Sequence, residues 1–224
     1  MISIAIDGPS GAGKSTMAKK LAKDLGYVYV DTGAMYRAVG YACIQNGLDY
    51  KDAAQVIPFL DSLCVTIRYI DGNQRVFVND EDVSDYIRTP EVSMAASGVS
   101  AIPEVRKFLF ETQKKLAREN NVIMDGRDIG TVVLPFAQVK IFLTASAEVR
   151  AKRRYNELKE KGVDVSFDDV LEDMKKRDYD DSHRAAAPLK AAEDAVLVDT
   201  SEMDLDESVK ALYEIVSARI SQNG

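Results

Sequence analysis

The chain has 224 residues, 46% of them apolar, and a formal net charge of −7. That length holds one α/β core together with an inserted subdomain and needs no disulfide or metal to close it. The acidic balance counts against a broad nucleic-acid surface, though not against a local basic cleft. No window approaches the ~20 apolar residues that cross a bilayer, and no basic segment leads into an apolar run at the N-terminus. Cys43 and Cys64 stand in apolar or strand-like surroundings without a C-x-x-C spacing or a histidine neighbour. They are expected in the core, neither bridged nor holding zinc. A soluble, cytoplasmic protein is the expectation.

The first element is an apolar strand over residues 2–6, which runs into Gly8-Pro9-Ser10-Gly11-Ala12-Gly13-Lys14-Ser15. This satisfies the phosphate-loop pattern G-x-x-x-x-G-K-[ST] in its proper setting between a strand and a helix. Glycines at 8, 11 and 13 let the backbone curl around an anion with its N–H groups inward, and the helix that follows adds its positive end. Lys14 then reaches the β- and γ-phosphates of a nucleoside triphosphate. Asp7 and Pro9 need no role beyond shaping the turn. Met17, Leu21 and Leu25 recur at i, i+4 and i+8 with Ala18 and Ala22 beside them, and Gly26 stands where a helix-ending glycine belongs. The spacing predicts an amphipathic helix over 15–25.

Further apolar strands are predicted over 27–30, 122–124, 139–144 and 195–198, separated by helical patterning. Such alternation indicates a parallel sheet covered on both faces. Between the first and second of these strands lie two alternating stretches, 64–69 and 75–79, around Asp71-Gly72-Asn73-Gln74. They read as an antiparallel hairpin, so residues from about 38 to 95 look like an insertion. The segment from Glu157 to Asp164 reads as an exposed charged loop.

Two later stretches carry chemistry. In VIMDGRDIGTVV, Asp125 follows an apolar strand, where a phosphate-loop protein places the acid that helps hold Mg²⁺ through water; the bland alternative is a cap for the next segment. Arg127 and Asp128 come next, at the sheet edge where ligands bind, and together can hold a phosphate and a base. In MKKRDYDDSHRAAAP, Arg177, Asp181 and Arg184 are spaced i, i+4, i+7 and share a face if the segment is helical. Alone they read as a solvated charge ladder, and so do Arg150, Arg153 and Arg154 in AEVRAKRRYNELKEKG. The upstream phosphate loop and acidic strand end favour a functional reading, because phosphoryl transfer needs mobile positive charge.

IAIDGPSGAGKST, YVDTGAMYRA, MAASGVS, VIMDGRDIGTVV and KKRDYDDSHRAAAPL, in this order and spacing, resemble the bacterial cytidylate kinases over nearly the whole chain. The phosphate loop alone is unspecific, whereas DGRDIGT together with RDxxDxxR(x)₃P is specific. The resemblance implies an α/β nucleoside monophosphate kinase of three parts. These are a three-layer phosphate-loop core with a parallel sheet (1–37 and 96–224), an inserted monophosphate-binding subdomain with antiparallel strands (38–95), and a short mobile lid around 150–167. It implies phosphorylation of CMP and dCMP by ATP with Mg²⁺, by a monomer.

Position by position, the resemblance makes Ser97, Arg106 and Asp128 the cytosine readers, and Arg177 and Asp181 the holders of the ribose. Arg184, Arg127 and Thr32 lie near the phosphates, with Tyr36 and Arg37 on the same acceptor side. Cytosine offers an amino donor beside two acceptors, which carboxylate or hydroxyl oxygens and a guanidinium match; uracil reverses two of these groups. Many members carry Ser where this chain has Thr32, so the hydroxyl is kept. Related kinases often have Gly at the position of Ser15 and take the hydroxyl from the next residue, so either Ser15 or Thr16 serves the metal with Asp125. The loop from Gly8 to Thr16 holds ATP, and Lys14, Arg127 and lid arginines such as Arg150 or Arg154 spread positive charge over the transferring group. No general base is required, because a phosphomonoester is mostly ionised near neutral pH, with its second pKa at ~6. His183 is then a surface or packing residue. The rivals are a UMP or AMP kinase, a shikimate or gluconate kinase, and a nucleotide-binding switch without transfer activity.

Overall fold

A computed structural model describes residues 1–222. In chain order the elements are β1 (Ser3–Asp7), α1 (Lys14–Leu25), β2 (Val28–Asp31), α2 (Thr32–Gln45), α3 (Ala53–Leu60), β3 (Val65–Ile70), β4 (Asn73–Val78) and β5 (Glu81–Asp82). There follow α4 (Pro90–Ser100), α5 (Pro103–Glu119), β6 (Val122–Gly126), a π-turn (Ile129–Val133), β7 (Val139–Thr144), α6 (Ala147–Glu160), α7 (Phe167–His183), β8 (Val196–Asp199) and α8 (Leu205–Gln222). By backbone contacts they form two compact units, residues 1–29 with 120–224, and residues 30–119. The segment expected as an insertion, 38–95, lies inside the second unit, which also takes in 30–37 and 96–119.

The first unit is built on a sheet of order β2-β6-β1-β7-β8, and the chain passes to the second unit within β2. β1 is central and pairs in parallel with β6, Ser3 opposite Val122, and with β7, Ile4 opposite Val139. All five of its residues are buried, as a strand covered on both faces must be. α1 lays Met17, Ala18, Leu21 and Ala22 into a core with Ile4, Ile123, Ile141 and Leu212, and ends at Gly26 in the left-handed region. This is the doubly covered parallel sheet that the pattern predicted.

Four local expectations need correction. β6 continues to Gly126, so Asp125 lies inside the strand rather than after it. α7 stops at His183, and Arg184 is extended at φ −62° and ψ 142°, so it does not share the helix face of Arg177 and Asp181. Residues 157–160 of the expected charged loop complete the last turn of α6, because Glu157 pairs with Lys161 at i+4 and with Arg154 at i−3. Cys43 is buried but Cys64 is exposed, and both are free thiols.

In the second unit, β3, β4 and β5 form an antiparallel sheet beside α2, α3, α4 and α5. The β3–β4 connection is tighter than predicted. Only Asp71 and Gly72 lie outside the strands, with φ of 51° and 74°, as a two-residue type I′ turn requires. β5 has only two residues and escaped the pattern. Met35, Val39, Val56, Val92, Val99 and Leu109 make this unit's own core.

Candidate active site

The phosphate loop is held by close packing at its entry. A Cβ at Gly8 would lie 1.9 Å from the carbonyl oxygen of Leu143 on β7, and φ there is +148°, so no other residue fits. Gly13 caps α1 in the left-handed region. Lys14 is buried, and its Nζ donates to the carbonyl of Pro9 across the loop at 2.7 Å. Burial first, and then the charge of Arg127, pull its pKa down to about 7 against the attraction of Asp125, Asp181 and Asp7. The loop thus has a lysine whose charge is costly until an anion arrives.

The choice left open between two hydroxyls takes a definite geometry. Ser15 Oγ donates to Asp125 Oδ2 at 2.7 Å, whereas Thr16 is exposed. The other carboxylate oxygen of Asp125 accepts from the Tyr29 hydroxyl at 3.1 Å. A hydroxyl and a carboxylate already in contact fit Mg²⁺, which commonly takes one or two protein ligands and completes its shell with phosphate oxygens and water. Among the described residues no group of three or more His, Cys, Asp or Glu forms an all-protein metal cage.

A second set of charges lies in the same unit. Arg127 Nε donates to Asp181 Oδ2 at 2.7 Å, and Arg184 Nη2 stands 3.7 Å from Asp128 Oδ1. Burial works against ionisation of Asp181. The charge and hydrogen bond of Arg127, with Arg177 and Arg184 adding to them, outweigh it and hold this carboxyl below the usual range. Burial likewise opposes the charge of Arg127, and Asp181 and Asp125 reverse that effect, raising its pKa. Asp181 is therefore a buried partner and not a rung of a solvated ladder. Arg184 reaches Asp128 from the extended chain beyond α7, where its Nε donates to Ala187 O at 2.7 Å.

The two arginines expected in the lid differ. Arg150 is buried, and its guanidinium donates to Ala145 O at 2.8 Å, to Ser10 O at 3.0 Å and to both oxygens of Asp178 at 3.1 and 2.6 Å. It ties α6 to the phosphate loop and to α7. Arg154 pairs one turn along its own helix, with Glu157 at 2.9 Å. Arg153 donates to Thr200 O at 2.8 Å. His183 is exposed and stacks on Tyr179, its ring centroid 4.0 Å away.

The remaining expected residues lie in the second unit. Asp31 caps α2 by accepting from Ala34 N at 2.8 Å, and its other oxygen accepts from Arg37 Nη2 at 2.8 Å, with Arg88 at 4.0 Å. The Gln74 amide brackets Asp31, accepting from its N–H at 2.8 Å and donating to its carbonyl at 3.2 Å. Thr32 is buried in the first turn of α2. The Arg106 guanidinium stands 5.6 Å over the Tyr36 ring and donates to Ser100 O at 3.4 Å. Ser97 is half-buried on α4, where its carbonyl accepts from Ser100 Oγ. Asp31, Gln74, Tyr29 and Asp178 were not anticipated. Only Asp31 had a signal, as an Asp before Thr-Gly-Ala at a strand-to-helix junction.

A phosphate loop between the central strand and its helix, with a loop serine bonded to an aspartate on the adjacent strand, defines a phosphate-loop protein that handles nucleotides. The family model for cytidylate kinase matches residues 4–218. The chain is 52% identical over 214 residues to a cytidylate kinase of Caldicellulosiruptor bescii, covering 96% of this chain and 95% of that protein. A cytidylate kinase of Lactobacillus johnsonii is 47% identical over 219 residues, covering 98% and 95%. The chain belongs to the cytidylate kinase family. An uncharacterised protein from Eubacterium ventriosum has a similar fold, with TM-score 0.52 and 14% identity over 97% of this chain and 99% of that one.

Proposed function

We propose that the chain transfers the γ-phosphoryl group of ATP to CMP or dCMP, giving ADP and CDP or dCDP. Family membership over nearly the whole chain supports the reaction class. The observation that carries the chemistry is the Ser15–Asp125 contact beside a buried Lys14 whose pKa is near 7. The phosphate-loop backbone and Lys14 bind the triphosphate. Ser15, and Asp125 through water, would hold Mg²⁺, which would supply positive charge to the phosphates. A phosphate oxygen of CMP forms the new bond to phosphorus as the bond to the bridging oxygen of ADP breaks. The acceptor is already largely ionised, so no side chain has to take a proton. Arg127 and Arg154 supply the positive charge for the equatorial oxygens.

On the acceptor side, Asp128 and Ser97 accept from the cytosine amino group and Arg106 donates to its ring acceptors. Asp181 and Arg177 hold the sugar, and Arg184, Arg37, Thr32 and Tyr36 line the acceptor phosphate. Uracil meets these groups with reversed polarity, which costs ~1–3 kcal/mol for each group left unpaired. Residues 38–95 serve as the monophosphate-binding insert on a core of 1–37 and 96–224, and residues around 150–167 as the lid. Arg150, with its donors committed in the structure, positions the loop. The same reading makes the protein a cytoplasmic monomer that acts on free nucleotides, without nucleic acid or membrane. Phosphorus NMR of a mixture with ATP, Mg²⁺ and CMP tests it: CDP and ADP must accumulate together in equal amounts. ADP and inorganic phosphate without CDP would replace this reading with that of a nucleotide hydrolase.

A further inference from the structure

Asp7 closes β1, is 4% exposed, and has no part in the chemistry above. Its carboxylate spans two backbone donors: Oδ1 accepts from Ile129 N at 2.8 Å and Oδ2 from Gly130 N at 2.7 Å. Those amides open the π-turn and have no carbonyl of their own turn behind them. Each N–H meets its own oxygen, an arrangement that a carboxylate offers and an amide, with one oxygen and one NH₂ group, does not. Gly130 completes the fit. A Cβ there would stand 3.3 Å from Asp7 Oδ2 and 3.2 Å from Lys140 Cδ, tight contacts that would press on the carboxylate, and glycine leaves that space open.

The position of this clamp gives it consequence. The residue after Asp7 is Gly8, the start of the phosphate loop, and the two residues before Ile129 are Arg127 and Asp128. One side chain therefore joins the root of the donor loop to the segment expected to read the acceptor. Burial, with a smaller contribution from Asp128, outweighs the two amide bonds and Lys14 and leaves the Asp7 pKa raised to about 6. A carboxylate kept where its charge is unfavourable is typical of a group retained for function.

We infer that Asp7 is a positioning residue that fixes Arg127 and Asp128 against the phosphate loop, so that its loss impairs the acceptor side selectively. This rests on the acceptor-site reading above. The test is steady-state kinetics of Asp7→Asn with CMP and UMP, beside Asp128→Asn. The expected result is a roughly tenfold rise in KM for CMP and a lower CMP-to-UMP ratio of kcat/KM, with KM for ATP within about twofold. Unchanged constants, or an equal loss on both substrates with the ratio preserved, overturn the role of Asp7. If Asp128→Asn itself leaves the ratio unchanged, the acceptor reading fails, and the role of Asp7 with it. Should Asp7→Asn not fold, hydrogen exchange of the unaltered protein decides. Slow exchange at Ile129 and Gly130 supports the clamp, and exchange as fast as in an open loop overturns it.

Discussion

Ser15 and Asp125, 110 residues apart in sequence, meet at 2.7 Å where the phosphate loop passes the neighbouring strand. Their contact favours Ser15 over Thr16 as the hydroxyl proposed to serve the metal. Ser15→Ala is expected to raise the Mg²⁺ concentration for half-maximal turnover by about tenfold, a common size for loss of one metal-orienting group. Thr16→Ala is expected to leave it within about twofold. A Mg²⁺ titration of both variants reads this, and the reverse order would move the metal to Thr16.

Lys14 links nucleotide binding to protons. Its pKa near 7 in the free protein rises when a triphosphate arrives, so ATP binding at pH 7.5 takes up part of a proton. Calorimetry in buffers of different ionisation enthalpy measures that uptake, and Lys14→Met abolishes it. The sign for stability is also fixed. The folded pKa lies below the unfolded 10.5, so the unfolded chain binds more protons between about 7 and 10.5, and the lysine's contribution becomes more favourable as pH rises through that window. Lys14→Met therefore raises Tm at pH 6–7 while turnover falls at least about a hundredfold.

Asp181 has the opposite sign. Its folded pKa lies below its unfolded value, so the stability it contributes is present above about pH 4 and is lost as pH falls through the folded pKa. Asp181→Ala leaves the half-buried Arg127 without this partner, which costs about 1.5–3 kcal/mol, the range for a hydrogen bond to a charged group. It also flattens the acid side of the stability curve in urea titrations. If Asp181 also holds the 2′-hydroxyl of the acceptor, the loss in kcat/KM is larger for CMP than for dCMP, which lacks that group.

Arg150 and Arg154, on one helix, are expected to differ, the first in stability and the second in turnover. Arg150→Ala leaves Asp178 and the Ser10 carbonyl without their donor and lowers stability by about 3 kcal/mol. Arg154→Ala removes one partly exposed i, i+3 pair and shifts stability by no more than about 0.5 kcal/mol. Its effect is expected in kcat, by about tenfold or more. Denaturant midpoints beside turnover numbers distinguish the two.

How far these features could be read from residues alone depends on how local their cause is. The turn of Gly8 to Lys14, the 3.6-residue spacing of Met17 and Leu21, and the Asp71-Gly72 turn are written in adjacent residues, and they were legible within a residue or two. Arg184 broke the rule of shared faces because the helix ends one residue earlier, a boundary that periodicity does not mark. Arg150 looked like the other arginines of its helix. Only the approach of Ser10 and Asp178, 140 residues before it and 28 after, shows that its charge is committed. Asp7 and Tyr29 stayed silent for the same reason, since the amides and the carboxylate they serve come from the far half of the chain.

The central claim is that cytosine is read by polarity at the acceptor site, and a panel of acceptors with ATP and Mg²⁺ tests it most directly. Initial rates of ADP formation would be compared for CMP, dCMP, UMP, AMP and GMP at subsaturating concentration. The account predicts that CMP and dCMP lead, with UMP lower by at least about tenfold, the cost of one or more mispaired groups. UMP or AMP matching CMP, or ADP release at the same rate with no acceptor present, would contradict it.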